Sequence, residues 1–201
     1  MNEIRFTKLL VLVNGIVPLA LLAWDAVNGS LGANPIEFFL RTTGILTLLF
    51  VLVTLAVTPL RKLLARNELI KFRRMLGLFA FFYGCLHLIT YLVFDRGWNF
   101  SGTVSDVIQR PFVAIGMASF IMMVPLAATS TNAMVKRIGG KNWQKLHRLT
   151  YLVGIGGVIH FWMIVKSDVF YPAIFGLVLV ILLGYRLFVK FSPKVRVATQ
   201  R

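Results

Sequence analysis

Six long runs nearly free of charge constrain this chain more than any other feature. Residues 9–24, 42–60, 75–94, 111–128, 149–165 and 170–189 are predominantly apolar, and Arg186 near the end of the last is the one basic residue among them. Each is about long enough to cross a hydrocarbon core, where only helices and closed barrels satisfy their own backbone groups. The sequence therefore predicts an all-α integral membrane protein, a six-transmembrane-helix bundle forming a single domain over residues 1–201. Composition agrees, with 58% apolar residues, 14% charged and a mean hydropathy of +0.79. Soluble folds sit nearer half apolar and a quarter charged, so a water-soluble domain is excluded.

Charge then sets the expected orientation, because cytoplasmic loops collect Lys and Arg. Residues 61–74 carry six basic side chains and one acid, residues 129–148 carry five and none, and the tail from Arg186 carries five and none. The alternate loops, 25–41, 95–110 and 166–169, sum to −1, zero and zero. Strict alternation predicts both termini on the cytoplasmic side. In a soluble protein the net charge of +15 would suggest nucleic acid. Here it is assigned to membrane lipid, with no nucleic-acid partner expected. The first run follows Arg5 and Lys8 but ends at Trp24 and Asp25 without a small-residue cleavage pattern, so it reads as a retained helix. Cys85 is the only cysteine, which rules out an intramolecular disulfide and, with no CxxCH present, ordinary covalent c-type haem attachment. No internal repeat, low-complexity tract or soluble appendage is expected.

Any chemistry must then lie among the helices, and the histidines are the candidates: His87, His147 and His160. An ionisable side chain inside a membrane helix is costly and is a functional candidate for that reason, although a single imidazole can equally hydrogen-bond across a helix interface. Depth separates the cases. His87 is 12 residues beyond Met75 and His160 is 11 beyond Leu149, so both fall roughly 17 to 18 Å from the cytoplasmic edge, in the outer half of the bilayer. Two level imidazoles on parallel helices suit the axial positions of a flat iron macrocycle. His87 and His160 are thus the predicted metal ligands of a b-type haem. Gly84, Gly156 and Gly157, on the ligand faces of their helices, are expected to open a slot for it. A tetrahedral zinc site needs more donors than these. The rival function is a histidine-lined metal-ion or proton transporter, which would more typically carry buried acids; a structural anchor would not need matched histidines. His147 lies roughly 20 Å below His160, and the matching position on the third helix holds Arg74. One haem is expected, with a second left open. Arg41, Arg96 and Arg110 are candidates for outer-face propionate contacts.

These motifs resemble a known family. NGSLGANP at 28–35, RRMLGL at 73–78, the HLITY containing His87, RPFVAIG at 110–116, LAATSTNAM at 126–134, KNWQKLHRLTYL at 141–152 and IHFW at 159–162 are similar to those of the haem-binding membrane subunits of periplasmic protein-methionine-sulfoxide reductase systems, the MsrQ family of the ferric-reductase-like transmembrane group. The broader group places two histidines on each of two helices, and this chain departs from it at Arg74. The resemblance implies a multi-pass protein of the bacterial inner membrane that transfers electrons rather than converting substrate. It implies a cytoplasmic flavin reductase or quinol as donor, haem b and FMN as carriers, and a periplasmic molybdopterin-containing methionine sulfoxide reductase subunit as acceptor. Against that background Arg73, Arg74 and His147 are the expected cofactor-binding residues on the cytoplasmic face, with Trp143 placed to stack on a flavin. Reporter fusions or accessibility labelling at Asn99 and Asn142 are expected to find the two sites on opposite sides of the membrane, and finding both on one side contradicts the six-span topology.

Overall fold

In the computed structural model, residues 3–165 and 167–192 are described. The described residues form helices joined by short turns, in the order α1 (Glu3–Val27), α2 (Pro35–Leu63), a 3-10 turn (Asn67–Lys71), α3 (Arg73–Thr90), a π turn (Tyr91–Asp95), α4 (Phe100–Gln109), α5 (Pro111–Ala128), α6 (Asn132–Ile138), α7 (Gly140–Leu146), α8 (Leu149–Ile164) and α9 (Phe170–Phe191). Local sequence explains the starts. Asn34 accepts a hydrogen bond from the Glu37 amide at 3.2 Å with Pro35 in the first helical position, and Pro111 opens α5 in the same way. Asn99 and Thr131 cap α4 and α6.

Five stretches are long and apolar enough to cross a membrane: Glu3–Val27, Pro35–Leu63, Arg73–Asp95, Pro111–Ala128 and Phe170–Phe191. The expected run 149–165 is α8, at 16 residues the shortest of the six apolar helices. Several helices overrun their apolar runs because the backbone continues to hydrogen-bond into polar flanks. The loop 95–110 folds α4, and the basic loop 129–148 folds α6 and α7, short helices that an apolar-run search does not detect. Lys166, Lys194, Arg196 and Arg201, counted above in the charge balance, lie outside the described residues.

The bundle is organised around α2. Its Leu48, Val51, Leu52 and Leu55 are buried together with Ala80 of α3, Met123 of α5, Val153 of α8, and Leu179 and Leu182 of α9. The outward faces of α1, α5, α8 and α9 leave large apolar side chains exposed, as a lipid-facing surface requires. With no water at hand, polar side chains are satisfied locally: Thr43, Thr47, Thr54, Thr90, Ser119 and Thr129 each donate to the carbonyl four residues earlier. The fully buried Tyr83 donates to the Gly15 carbonyl of α1 at 2.7 Å. The Phe79 ring occupies the space that a side chain at position 15 would need, so α1 docks through a glycine.

Arg186 is the clearest case. Pro59 lies inside α2 and has no N–H, so the Leu55 carbonyl loses its helical donor. The Arg186 guanidinium of α9 donates to that carbonyl, also donates to Leu182 O at 2.9 Å, and sits 5.5 Å from the centre of the Tyr151 ring of α8. One side chain therefore ties α2, α8 and α9 together. Arg186→Leu is expected to destabilise the bundle by roughly 1–3 kcal/mol, the cost of an orphaned buried polar group. Thermal unfolding in detergent measures this. Adding Pro59→Ala, which returns an N–H to α2, should recover much of the loss.

Candidate functional site

His87 near the end of α3 and His160 near the end of α8 meet at one end of the bundle. Their ring centres are 6.2 Å apart and their planes perpendicular. The two helices are each packed on α2 and α5, and the imidazoles reach across the space between them. His87 Nδ1 lies 3.0 Å from the Leu40 carbonyl of α2, and His160 Nδ1 lies 2.7 Å from the Phe112 carbonyl of α5. A carbonyl can only accept, so each Nδ1 carries the proton and donates it. Each Nε2 is left with its lone pair, which is the arrangement found for metal-bound histidines. A metal–imidazole bond is about 2 Å and the ring centre lies about 1 Å behind the nitrogen, so two imidazoles on opposite sides of one metal have centres about 6 Å apart. The observed separation matches. Among the described residues no group of three or more His, Cys, Asp or Glu could hold a metal. Two imidazole donors without a third protein ligand among the described residues fit a metal whose remaining positions a macrocycle supplies.

The other end of α8 borders a cavity of about 580 Å³, lined among others by Arg73, Arg74, Trp143, His147, Arg148 and Tyr151. The structure thus brings Arg73, Arg74 and His147 to one space with no acid in its wall. Trp143 stacks on the His147 ring, with centres 3.8 Å apart, and donates through Nε1 to the Thr129 carbonyl at 2.9 Å. Thr129 Oγ1 donates to Pro125 O and lies 3.1 Å from His147 Nε2. This nitrogen is therefore engaged, unlike the Nε2 of His87 and His160. Burial, and next the neighbouring Arg73 and Arg74 charges, push the His147 pKa down from 6.5 to about 4.

One sequence expectation changes. Gly84, Gly156 and Gly157 do not open a slot beside the histidines: a side chain at these positions would meet Phe120 and Thr47, Ser119, and Leu48 respectively. They serve close helix packing. Arg41, Arg96 and Arg110 find protein carboxylates. Arg41 pairs with Glu37 at 3.2 Å, Arg110 with Asp106 at 3.3 Å, and Arg96 with Asp106 and, at 3.9 Å, with Asp95. The buried Asp106 also accepts from Tyr91 at 2.5 Å, which fixes α4 to the π turn. The Leu40 and Phe112 carbonyls were not foreseen, since backbone acceptors leave no trace in residue identity.

Residues 41–158 match the family described as ferric reductase like transmembrane component. The chain is 47% identical over 188 residues to the protein-methionine-sulfoxide reductase heme-binding subunit MsrQ of Herminiimonas arsenicoxydans, covering 92% of this chain and 86% of the relative. The chain belongs to the MsrQ family. MsrQ proteins of Azospira oryzae, 50% identical over 79% of this chain and 69% of the relative, and of Xanthomonas oryzae pv. oryzae, 40% identical over 96% and 91%, are similar to it as well. Membership in this MsrQ and ferric-reductase-like group, with its several apolar helices, makes the chain a multi-pass membrane protein.

The cavity histidine has a pH consequence. Because its folded pKa lies below its unfolded value, the unfolded state binds the extra proton first as pH falls. The stability associated with neutral His147 is whole above pH 6.5 and is lost as pH falls towards 4. Melting temperatures across this window should fall with pH, and His147→Gln should flatten that dependence.

Proposed function

We propose that this protein carries electrons across the bacterial inner membrane to a periplasmic, molybdopterin-containing methionine sulfoxide reductase subunit, through a b-type haem that His87 and His160 would hold. The observation that carries the reading is the pair of imidazoles, each donating through Nδ1–H to a carbonyl, with ring centres at the separation that a shared metal requires. The MsrQ relatives are named heme-binding subunits, which supports it. When bound there, haem supplies a one-electron iron centre. The chain orients both ligands before binding and keeps the site within the bundle. A sixth span is supported by α8 lying along α5, from His147 just before it beside Thr129 to His160 beside Phe112, and cytoplasmic termini by the alternation of loop charge.

The cationic cavity belongs to the electron-entry side in this proposal. Arg73 and Arg74 bind the phosphate of FMN, and His147, neutral at physiological pH, lies against Trp143 in the cavity wall, near the ring. A flavin reductase or quinol delivers electrons from the cytoplasm. The inner wall of the cavity reaches Ala80, two turns short of His87 on the same helix, or about 10 Å. A carrier seated there lies within a short step of the outer centre. The protein is the electron-transfer subunit and leaves conversion of substrate to its partner.

One preparation tests both parts. His87→Ala and His160→Ala should each abolish the six-coordinate low-spin spectrum. Arg73→Gln combined with Arg74→Gln should keep that spectrum while lowering bound flavin and the rate of reduction by reduced flavin. An unchanged Soret band in both histidine variants refutes the ligand assignment, and unchanged flavin content and rate refute the cavity assignment.

A further inference from the structure

The two halves of the outer site are built by the same device. In a helix the carbonyl of residue i is directed at residue i+4, so the side chain there stands beside any second donor to that carbonyl. Position i+4 from Leu40 is Gly44, and position i+4 from Phe112 is Gly116. A Cβ on Gly44 would lie 3.2 Å from His87 Cε1 and Nδ1, and a Cβ on Gly116 would lie 2.8 Å from His160 Cε1 and Nδ1 and 3.3 Å from its Nε2. A side chain at either position would press on the imidazole that donates to the carbonyl four residues earlier. The remaining glycines within the apolar helices meet phenylalanine, threonine, serine, leucine or valine side chains, or open space. Only these two stand against an imidazole.

The device recurs in register. Each histidine follows its carbonyl by nearly the same interval, 47 residues for Leu40 and His87 and 48 for Phe112 and His160. An offset of 72 or 73 residues carries Leu40, Gly44, Thr47, Gly84 and His87 onto Phe112, Gly116, Ser119, Gly157 and His160. Both helix pairs, α2 with α3 and α5 with α8, are antiparallel, since each carbonyl lies near the start of one helix and each histidine near the end of the other. The correspondence is one of five positions spread over a helix pair, without continuous sequence similarity.

We infer that Gly44 and Gly116 are positioning residues that set the two axial imidazoles perpendicular to one another. An Nδ1–H bond is strongest with its acceptor near the plane of the ring, so each carbonyl fixes the plane of its ring, and two carbonyls on different helices fix two planes. The glycines leave the space each ring needs to lie against the neighbouring helix and donate to its carbonyl. Perpendicular imidazoles donate π density to two different iron d orbitals rather than to the same one. Those orbitals stay close in energy, and a ferric low-spin centre then gives a strongly anisotropic paramagnetic resonance signal. This inference rests on the haem reading above.

The test is electron paramagnetic resonance of the purified, oxidised, full-length protein, with haem content measured in the same samples. Wild type should show a low-spin signal with the large maximal g value of perpendicular ligands. Gly116→Ala, where the ring must turn or withdraw, should lose that signal. Gly44→Ala, where the ring need move only a few tenths of an ångström, should keep haem and shift the signal. Gly184→Ala, which meets nothing within 4 Å, should reproduce wild type. If Gly116→Ala does not accumulate, Gly44→Ala decides. Haem-replete Gly44→Ala or Gly116→Ala with the wild-type signal overturns the glycine assignment, and a wild-type signal of parallel rings overturns the orthogonal setting. A wild-type protein without haem overturns the haem reading itself, so the two failures are distinct.

Discussion

Hydrogen bonding without water governs this bundle. Inside hydrocarbon an unpaired polar group has no solvent to fall back on, and the helices are joined where one supplies a donor that another lacks an outlet for. Tyr83 reaches the Gly15 carbonyl and fastens α1. Arg186 takes over the Leu55 carbonyl that Pro59 leaves free and fastens α9 to α2. His87 and His160 fasten α3 to α2 and α8 to α5 through their Nδ1 atoms. In the last two cases the same bond that holds the fold determines the tautomer, and the tautomer determines which nitrogen is left to bind a metal. Fold and site share these two contacts, so the site is shaped before any cofactor arrives.

The two ends of α8 differ in electrostatics. One end has the His87 and His160 imidazoles, and there Arg96 and Arg110 are matched by Asp95 and Asp106. The cavity at the other end has Arg73, Arg74 and Arg148 in its wall and, among the described residues, no carboxylate, with a histidine held neutral by burial and by those charges. A cavity of that kind favours an anionic occupant, whereas the histidine pair favours coordination. The division fits a conduit in which entry and exit are handled by different chemistry.

Much of this was legible in the sequence because a bilayer imposes length and charge rules that few folds must obey. The α5 bounds could be read from Pro111 and the end of the apolar run, and the level of His87 with His160 followed from counting along two helices of known direction. Grouping Arg73, Arg74 and His147 followed from the family motifs together with the basic loops. What could not be read was anything across a helix boundary. Gly84 and Gly157 looked suited to make room for the histidines because they share their helices. The glycines that do so are Gly44 and Gly116, on the neighbouring helices. Likewise a loop charge of zero for 95–110 concealed that Asp106 is buried and claims Arg96 and Arg110. Periodicity places a residue on a face, but packing alone decides what that face meets.

The central claim is that two histidines hold a reducible iron macrocycle in the outer half of the bundle. The most direct measurement is the absorption spectrum of the purified protein, expressed with an adequate haem supply, first oxidised and then reduced. The account predicts a coloured protein whose Soret band shifts on reduction and whose reduced spectrum has the sharp α and β bands of a six-coordinate low-spin haem. A colourless protein, or a bound haem that remains high-spin in both states, contradicts it.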